Sequence, residues 1–360
     1  MSKSKKSVIS TKRFWILVVI LLLSIGVKVF DYARTYQQEV DTITTEEEYD
    51  VDLVYLWCDG NDPEFAERKN YWLKQENKEP NLQAAASGRF EQVDELKYSL
   101  RSAEQYLPWL RHIYIVTDRQ VPSWLDTENP KITVVDHSEI IPRKYLPVFN
   151  SNAIEAAIYK IPGLSEHFLL ANDDTFVNRP LTRGFFFRYG KPIVRLKFGQ
   201  VADTGSLYRD QLLNVIELSE QYFNSSIPFL SARDLVPHHN IDAYLKSDYA
   251  DCAAHFEKEY QKTLTHRFRR ADSVQRLIVS IWSFMNGRAE IKIVQTPSIR
   301  SKKIDSLFIV NTRDDYAQRL ARLNPGLFCI NDSEFSMPED RVRVKQFLEQ
   351  HFPKKSSFEK

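Results

Sequence analysis

Short apolar runs that end abruptly on polar residues recur along the chain and predict buried strands. Residues 168–171 (FLLA) are followed at once by Asn172, Asp173 and Asp174, and residues 52–57 (DLVYLW) are followed by CDGNDP. A continuous apolar run of this length is typical of a strand buried on both faces of a sheet. Further strands are predicted at residues 112–116, 132–135 and 327–330.

Helical periodicity separates these predicted strands. Leu96, Leu100, Ala103 and Leu107 recur at helical spacing, which predicts a helix with one face packed on the sheet. The alternation of strands and helices over residues 51–177 predicts a mostly parallel sheet with right-handed crossovers and helices on both faces. A further helix is predicted at 153–158, with Asn150, Ser151 and Asn152 as polar caps at its start. Others are predicted at 207–223, from Leu277 onward and after Ser336. The C-terminal part is therefore predicted to be α-rich.

Acidic residues at the predicted carboxyl ends of strands are candidate ligands. Open α/β sheets bind ligands at this edge, and two adjacent carboxylates there hold a hard divalent cation against a phosphate. Asp59 follows the first strand, Asp173 and Asp174 follow the central one, and Asp332 follows the apolar run near the C-terminus. The alternative is that these acids only form polar turns, because Asn and Asp favour turns.

Basic residues and histidines supply further candidates. Arg89 and Asp94 precede or open the helix that contains Leu96, so we expect them to face a ligand at its amino end. Arg269 belongs to a group of arginines just before an apolar helix, although helix dipoles favour acids at that position. Binding of a diphosphate by these arginines explains the placement. The alternative is a solvated basic turn. His238 and His239 are adjacent, and such histidines are more often surface or core residues.

Composition narrows the class of protein. The 360 residues carry a net charge of +1, so no basic field argues for nucleic acid as a partner. The chain has only ten glycines and contains no GxGxxG or Walker-type motif, which disfavours the usual dinucleotide-binding and P-loop enzymes. The three cysteines lack CxxC spacing, which excludes a disulfide scaffold and a zinc ribbon and leaves a single bridge open.

The amino-terminal region predicts a membrane anchor. Residues 1–13 form a basic tail without acids, residues 14–30 are an apolar run that predicts a single transmembrane helix, and residues 31–50 read as an acidic stalk. A cleaved signal peptide is the alternative for residues 14–30. The basic flank places the amino terminus in the cytosol and the body of the protein on the far side of the membrane.

Five blocks of the sequence resemble the Stealth proteins. This family includes bacterial capsular polysaccharide phosphotransferases and the α/β subunit of the lysosomal-enzyme N-acetylglucosamine-1-phosphotransferase. The blocks, which spread over residues 51–353, are DLVYLWCDGNDPEF, RFEQVDELKYSLRSAEQYLPWLRHIYIVTDRQVPSWL, FNSNAIEAAIYKIPGLSEHFLLANDDTFV, VPHHNID with the later FRRADS, and FCINDSEFSMPEDRVRVKQFLEQHFP. The second and third blocks are the most specific.

The resemblance implies a catalytic domain over residues 51–355 with a Rossmann-like, GT-A-like fold. Its reaction would move a hexose 1-phosphate or N-acetylhexosamine 1-phosphate from a UDP-sugar to a hydroxyl of an acceptor glycan, with Mg²⁺ or Mn²⁺ as cofactor and UMP as product. Such a reaction belongs to capsule or cell-surface polysaccharide synthesis. No long insertion with recognition modules interrupts the blocks, so a role in tagging lysosomal enzymes is not expected.

Carried over by position, Asp174, His239 and Arg269 look like active-site residues of the family. His239 is chosen because residues 239–242 keep an H-x-I-D pattern, but the proline lies directly before His238, which leaves the choice between the two histidines open. We expect Arg269 to bind the diphosphate and a neutral His239 to act as the base. The expected metal ligands are Asp173, Asp174 and Asp332, and the expected substrate-binding residues are Asp59, Arg89, Asp94, Asn152 and His238.

Two other functions fit the same sequence. An ordinary metal-dependent glycosyltransferase would release UDP instead of UMP. A membrane-tethered glycan-binding protein without catalysis is suggested by the surplus of aromatic residues, 22 Phe, 17 Tyr and 6 Trp. For the location, a bacterial inner membrane is the first expectation. Because bacterial nucleotide sugars are cytosolic, this location requires an atypical anchor with the domain facing the cytosol. A Golgi-type membrane, compatible with the sequon at Asn224, is the alternative.

Overall fold

A five-stranded sheet, in the order β3-β2-β1-β4-β9, forms the centre of the fold. The computed structural model describes residues 48–76, 90, 92–198, 206–227, 235–294, 297–298, 300–333 and 335–360. The strands of this sheet are β1 (Val51–Leu56), β2 (His112–Thr117), β3 (Ile132–Asp136), β4 (His167–Asn172) and β9 (Asp242–Leu245). The first four are parallel and β9 runs antiparallel to β4, so the predicted parallel core is confirmed and its edge is mixed.

The other strands of the described part form two smaller sheets. One has four strands, β10-β7-β6 with β8 beside β7, and the other has three, in the order β11-β12-β5. Their strands are β5 (Thr175–Val177), β6 (Phe187–Arg188), β7 (Lys191–Phe198), β8 (Leu235–Pro237), β10 (Glu290–Val294), β11 (Ser306–Val310) and β12 (Leu327–Asn331). The part beyond residue 180 is therefore a mixture of strands and helices, where the sequence predicted a mainly helical segment.

Helices pack on both faces of the five-stranded sheet, as predicted. The helices of the described part are α1 (Pro63–Glu76), α2 (Glu95–Tyr106), α3 (His137–Ile140), α4 (Ser151–Glu155), α5 (Arg183–Phe186), α6 (Leu207–Phe223), α7 (Lys246–His255), α8 (Glu257–Thr265), α9 (Leu277–Met285), α10 (Tyr316–Leu323) and α11 (Pro338–His351). Of these, α10 and α11 pack against the three-stranded sheet. Asn150 caps α4 by accepting a hydrogen bond from the Asn152 amide at 3.1 Å. The predicted cap Ser336 lies one residue too early, because α11 is preceded by Met337.

Alternate residues of β1 enter two separate cores, which explains its continuous apolar sequence. Val54 packs into the core that contains α7 to α9, whereas Leu53 and Tyr55 pack into the core beneath α2. The acidic exception is Asp52, which is fully buried. Its two oxygens accept from Arg111 Nε and Nη2 at 2.9 and 2.5 Å, so the buried charge is paired.

The prediction of a single-pass membrane protein has to be corrected. Within the described ranges, every helix is too short or too polar to cross a bilayer. The predicted tail, the anchor at residues 14–30 and most of the stalk lie outside the described residues.

Gly60, in the turn after β1, packs directly on the backbone of Phe90. Its amide donates to the Phe90 carbonyl at 2.7 Å, and a Cβ at this position would lie 2.2 Å from the same oxygen. We expect Gly60→Ala to lower the free energy of unfolding by about 1–3 kcal/mol, because backbone atoms must move to admit the methyl group. Urea unfolding measures this. The control is Asn61→Ala at the exposed neighbouring residue, which should change the free energy of unfolding by less than about 0.5 kcal/mol. Equal effects of the two substitutions would contradict the expectation.

Candidate active site

Asp174 lies where the five-stranded sheet meets the three-stranded one. It connects β4 to β5, and the antiparallel pairing of β5 with β12 places Thr175 opposite Cys329. The Ile330 amide donates to the Asp174 carbonyl at 3.1 Å, and the Cys329 thiol donates to Asp174 Oδ2 at 3.2 Å. The other carboxylate oxygen, Oδ1, is buried and finds no hydrogen-bond partner among the described residues. A buried carboxylate oxygen in this state indicates a place for a cation or a donor group.

His239 reaches the same place from the other edge of β4. Because β9 runs antiparallel to β4, the loop before β9 lies at the carboxyl end of the parallel strands. The backbone of His239 adopts a left-handed conformation with φ of 52°, and its ring packs edge-on against Phe308 with centroids 5.5 Å apart. One ligand atom each from Asp174, His239 and Cys329 lie within 4.8 Å of one another. The structure therefore brings the predicted aspartate and histidine together.

Several carboxyl groups crowd this pocket, and their pKa values are raised by burial and, for Asp174 and Glu95, also by the charge of Asp173. Burial, followed by the charge of Asp173, raises the pKa of Asp174 to about 7. Burial also raises the pKa of Asp173, and burial together with Asp173 raises the pKa of Glu95 to about 8. Acids packed this closely fit a divalent cation, which would favour their charged forms.

The imidazole of His239 is neutral at physiological pH. Burial is the main cause, with the positive charges of Arg276 and Lys197 next, and together they lower the pKa of His239 to about 3. A neutral imidazole has a free lone pair, which either accepts a proton or binds a metal ion.

His238 has a different environment, which distinguishes the two histidines. Its side chain is buried, with Nδ1 3.1 Å from Ser306 Oγ and Nε2 2.8 Å from Asp242 Oδ1. Asp242 also pairs with Arg276 at 3.1 Å. Burial alone would raise the pKa of Asp242, but His238 and Arg276 hold this pKa below its usual value. Both ring nitrogens of His238 are thus engaged within the protein, which favours a structural role over the predicted contact with substrate.

Arg269 is connected to the histidine loop through a charged network. Its Nη2 donates to Ser151 Oγ in α4 at 2.5 Å. Burial raises the pKa of Glu155, while the positive charges of Arg276 and Arg269 oppose that rise. Arg276 in turn pairs with Glu155 at 3.7 Å and with Asp242 of β9. Arg269 is therefore electrostatically coupled to the part of the site that carries His239.

Comparison with known proteins identifies the family. The model described as Stealth protein CR2, conserved region 2, matches residues 89–193, which include Asp173 and Asp174. The capsular polysaccharide phosphotransferase LcbA of Aeromonas hydrophila is 34% identical over 323 residues, which cover 85% of each chain. This chain belongs to the Stealth family. It is accordingly an enzyme of the transferase class.

Other Stealth relatives differ in length. The capsular polysaccharide phosphotransferase fcs1 of Haemophilus influenzae is 32% identical, with 79% of each chain covered. The exopolysaccharide phosphotransferase CpsY of Mycobacterium tuberculosis (strain ATCC 25618 / H37Rv) is 33% identical, and the match covers 87% of this chain but 58% of CpsY. Among solved structures, the galactosyltransferase LgtC in complex with donor and acceptor sugar analogs has 10% identity and a TM-score of 0.38, with 85% of this chain and 96% of LgtC covered. A similarity this low adds nothing to the assignment of function.

Other residues predicted for the Stealth site have partners of their own. Asp332 Oδ2 accepts from Arg341 at 2.7 Å, and its Oδ1 accepts from Asn311 and from the Ser333 amide. An ion at Asp332 would have to break these bonds, so the geometry favours a structural role for this residue. Asp94 is held in a similar way, with its carboxylate 2.9 Å from Lys345 and 3.5 Å from Lys97.

The remaining predicted substrate-binding residues lie near strand ends or helix starts. Asp59 Oδ1 accepts from the Asn61 amide at 2.9 Å, which is the turn proposed as its alternative. Asn152 is buried in α4, and its Nδ2 has no partner within the described part of the chain, so it remains a candidate donor to a ligand. Arg89 lies outside the described residues.

Three polar residues of the Stealth site were not predicted from the sequence. Gln92 donates to Asp173 Oδ2 at 2.6 Å and orients that carboxylate. Glu95 is half-buried near Asp173, and burial followed by the charge of Asp173 raises its pKa. In the sequence Glu95 lies in a run of charged residues at the start of its helix, and only the structure shows that the charge of Asp173 acts on it. Cys329 lies inside an apolar run, where its sequence context is that of an ordinary core residue.

The crowded acids predict a pH dependence of stability in metal-free protein. The pKa of Asp174 rises from 3.8 to about 7 on folding and that of Glu95 from 4.5 to about 8. Between these values the folded state binds protons that the unfolded state has released, which lowers stability as pH rises. Burial lowers the pKa values of His239 and His137, which has the opposite effect below about pH 6.5, so the net fall in stability is expected from about pH 6.5 towards 8. In EDTA the melting temperature should fall over this pH range. Addition of Mn²⁺ or Mg²⁺ should raise the melting temperature, and most strongly at the highest pH. A melting temperature that rises over this range in EDTA, with Asp174→Asn behaving like wild type, would contradict the assignment.

Proposed function

We propose that this enzyme transfers a sugar 1-phosphate from a UDP-sugar to a hydroxyl of an acceptor glycan and releases UMP, in the synthesis of capsule or another cell-surface polysaccharide. The observation that carries this proposal is the convergence of Asp174 and His239 at the carboxyl edge of the parallel strands, in a chain of the Stealth family. The relatives named as capsular and exopolysaccharide phosphotransferases support the substrate class.

Transfer of a phosphoryl group depends mainly on positioning and on neutralisation of charge. A divalent cation, Mg²⁺ or Mn²⁺, would supply that neutralisation when bound at the acids. In our proposal Asp174 and Asp173 hold the cation, and Gln92 keeps Asp173 oriented through its 2.6 Å hydrogen bond. Arg269 binds non-bridging oxygens of the diphosphate, a task suited to a guanidinium group with several donors in a fixed plane.

His239 is the proposed general base. It accepts the proton of the acceptor hydroxyl as that oxygen attacks the phosphorus next to the sugar, and UMP departs with the bridging oxygen. Because the pKa of His239 is lowered to about 3, the imidazole is unprotonated before the reaction. The negative charge of the bound donor opposes this shift and strengthens the base in the ternary complex.

The nucleotide released tests the proposal directly. The full chain is incubated with a panel of UDP-sugars, an acceptor glycan and Mg²⁺ or Mn²⁺, and the nucleotide is identified by chromatography. UMP, together with a new phosphodiester in the glycan, is the expected result. UDP would show a glycosyltransferase instead. If the rate of nucleotide release equals the rate without enzyme, and EDTA does not change it, the protein binds glycans without catalysis.

A further inference from the structure

The cluster of Asp174, His239 and Cys329 contains a sulfur ligand that the proposed transfer reaction does not use. It offers one oxygen, one nitrogen and one sulfur atom, all within 4.8 Å of one another. In a tetrahedral zinc site with bonds of about 2.0–2.3 Å, neighbouring ligand atoms lie roughly 3.3–3.8 Å apart. The Cys329 Sγ to Asp174 Oδ2 distance of 3.2 Å is already close to that spacing, so small side-chain movements complete the geometry.

The backbone positions two of these residues, Cys329 and Asp174, before any ion binds. Cys329 is in the middle of β12, is fully buried, and is paired on one side with β5 and on the other with β11. Asp174 is fixed by the hydrogen bond from the Ile330 amide to its carbonyl. Its buried Oδ1 still lacks a hydrogen-bond partner within the described residues, which is an independent indication that the cluster has room for a ligand.

The mixed donor set favours a different class of ion from the one proposed for catalysis. Mg²⁺ prefers oxygen ligands, whereas thiolate and imidazole select zinc and chemically similar ions. Three protein ligands leave one tetrahedral position for water. On binding, the Cys329 thiol releases its proton to solvent, the hydrogen bond to Asp174 is lost, and sulfur becomes a ligand to the ion.

We propose that Asp174, His239 and Cys329 form a site for Zn²⁺ or a similar thiophilic divalent cation, and that its occupation inhibits the enzyme. The ion would take the imidazole nitrogen and the carboxylate that the reaction needs. The inhibition, but not the binding site, rests on the function proposed above.

Spectroscopy with Co²⁺ tests the binding site without any assay of activity. The metal-free full chain is titrated with Co²⁺, and the expected result is a thiolate-to-cobalt charge-transfer band in the near ultraviolet that Zn²⁺ abolishes. Cys329→Ser should lose the band. Cys58→Ser is the matched control, because Cys58 is the other free cysteine at this end of the sheet, and it should retain the band. A band that survives Cys329→Ser, or no band in wild type, overturns the proposal.

A second measurement avoids the variants, in case Cys329→Ser does not fold. X-ray absorption of the wild-type protein loaded with one equivalent of Zn²⁺ should show one sulfur neighbour at about 2.3 Å and nitrogen or oxygen neighbours at about 2.0 Å. A first shell without sulfur would exclude Cys329 as a ligand and overturn the proposal.

Inhibition is measured separately with Mg²⁺ in fixed excess. Zn²⁺ should reduce the rate of nucleotide release, and a chelator selective for zinc should restore it. Cys329→Ser should require at least about tenfold more Zn²⁺ for half-inhibition, since loss of a direct ligand costs no less than loss of an outer-shell partner. Equal sensitivity of the two proteins would overturn the inhibitory role. If the panel of UDP-sugars yields no nucleotide at all, the proposed function fails while the cobalt and X-ray results still decide the zinc site.

Discussion

Replacing Asp174 by asparagine should reduce the rate constant of sugar 1-phosphate transfer by a factor on the order of 10²–10³ or more. Asparagine has the same shape as aspartate but carries no charge, so it preserves packing beside Cys329 while weakening the hold on a cation. The change should cost little free energy of unfolding, because burial and the charge of Asp173 raise the pKa of Asp174 and so already disfavour its charged form. We therefore expect the metal-free variant to be as stable as wild type or more so at neutral pH.

Steady-state kinetics over a range of Mg²⁺ and Mn²⁺ concentrations measures this effect. The expected pattern is a large fall in kcat and a higher metal concentration for half-maximal rate. Asp251→Asn is the control, because Asp251 is an exposed residue of α7 whose partner is Arg288 at 3.2 Å, and such surface pairs contribute little. Near-normal turnover by Asp174→Asn with an unchanged metal requirement would remove Asp174 from the reaction and leave Asp173 as the carboxylate to examine.

The central sheet was predictable because its chemistry is local. A strand buried on both faces is apolar at nearly every position, and β1 and β4 show this as short apolar runs. Asp52 in β1 is the exception, because Arg111 pairs with its buried charge. The polar residues that follow such runs then lie at the ligand-binding edge by topology alone, which is why Asp174 was found. His239 came from the resemblance to the Stealth family and not from any periodicity.

Non-local pairing explains what the sequence did not reveal. Cys329 is 155 positions after Asp174, and only the antiparallel alignment of β12 with β5 brings the two side chains into contact. Nothing near Glu95 in the sequence shows that it faces Asp173. Asp332 is the reverse case, because it follows an apolar run just as Asp173 does, yet its carboxylate pairs with Arg341 of the next helix, which the sequence pattern does not show. Hydropathy alone also predicted the membrane anchor at residues 14–30, which lie outside the described residues.

Replacing His239 by alanine should abolish transfer while the enzyme still binds the UDP-sugar. Loss of a general base typically costs a factor on the order of 10²–10⁴ in rate, and the donor is held mainly by the cation and Arg269 in our proposal. Titration calorimetry with the UDP-sugar and assays of nucleotide release separate the two quantities. A matched control is His112→Ala, because His112 is at the amino end of β2, at the opposite edge of the sheet, where its ring contacts Thr133.

The neighbouring histidine makes this test more specific. His238→Ala removes the partner of Ser306 and Asp242 and leaves the Asp242 charge with Arg276 alone, so its main effect should be a lower melting temperature. If His239→Ala instead loses most of its affinity for the donor, His239 is a binding residue. If His238→Ala is the variant that folds normally but cannot turn over, the roles of the two histidines are exchanged. His239 is assigned the role of base because one of its ring nitrogens lies within 4.8 Å of a carboxylate oxygen of Asp174.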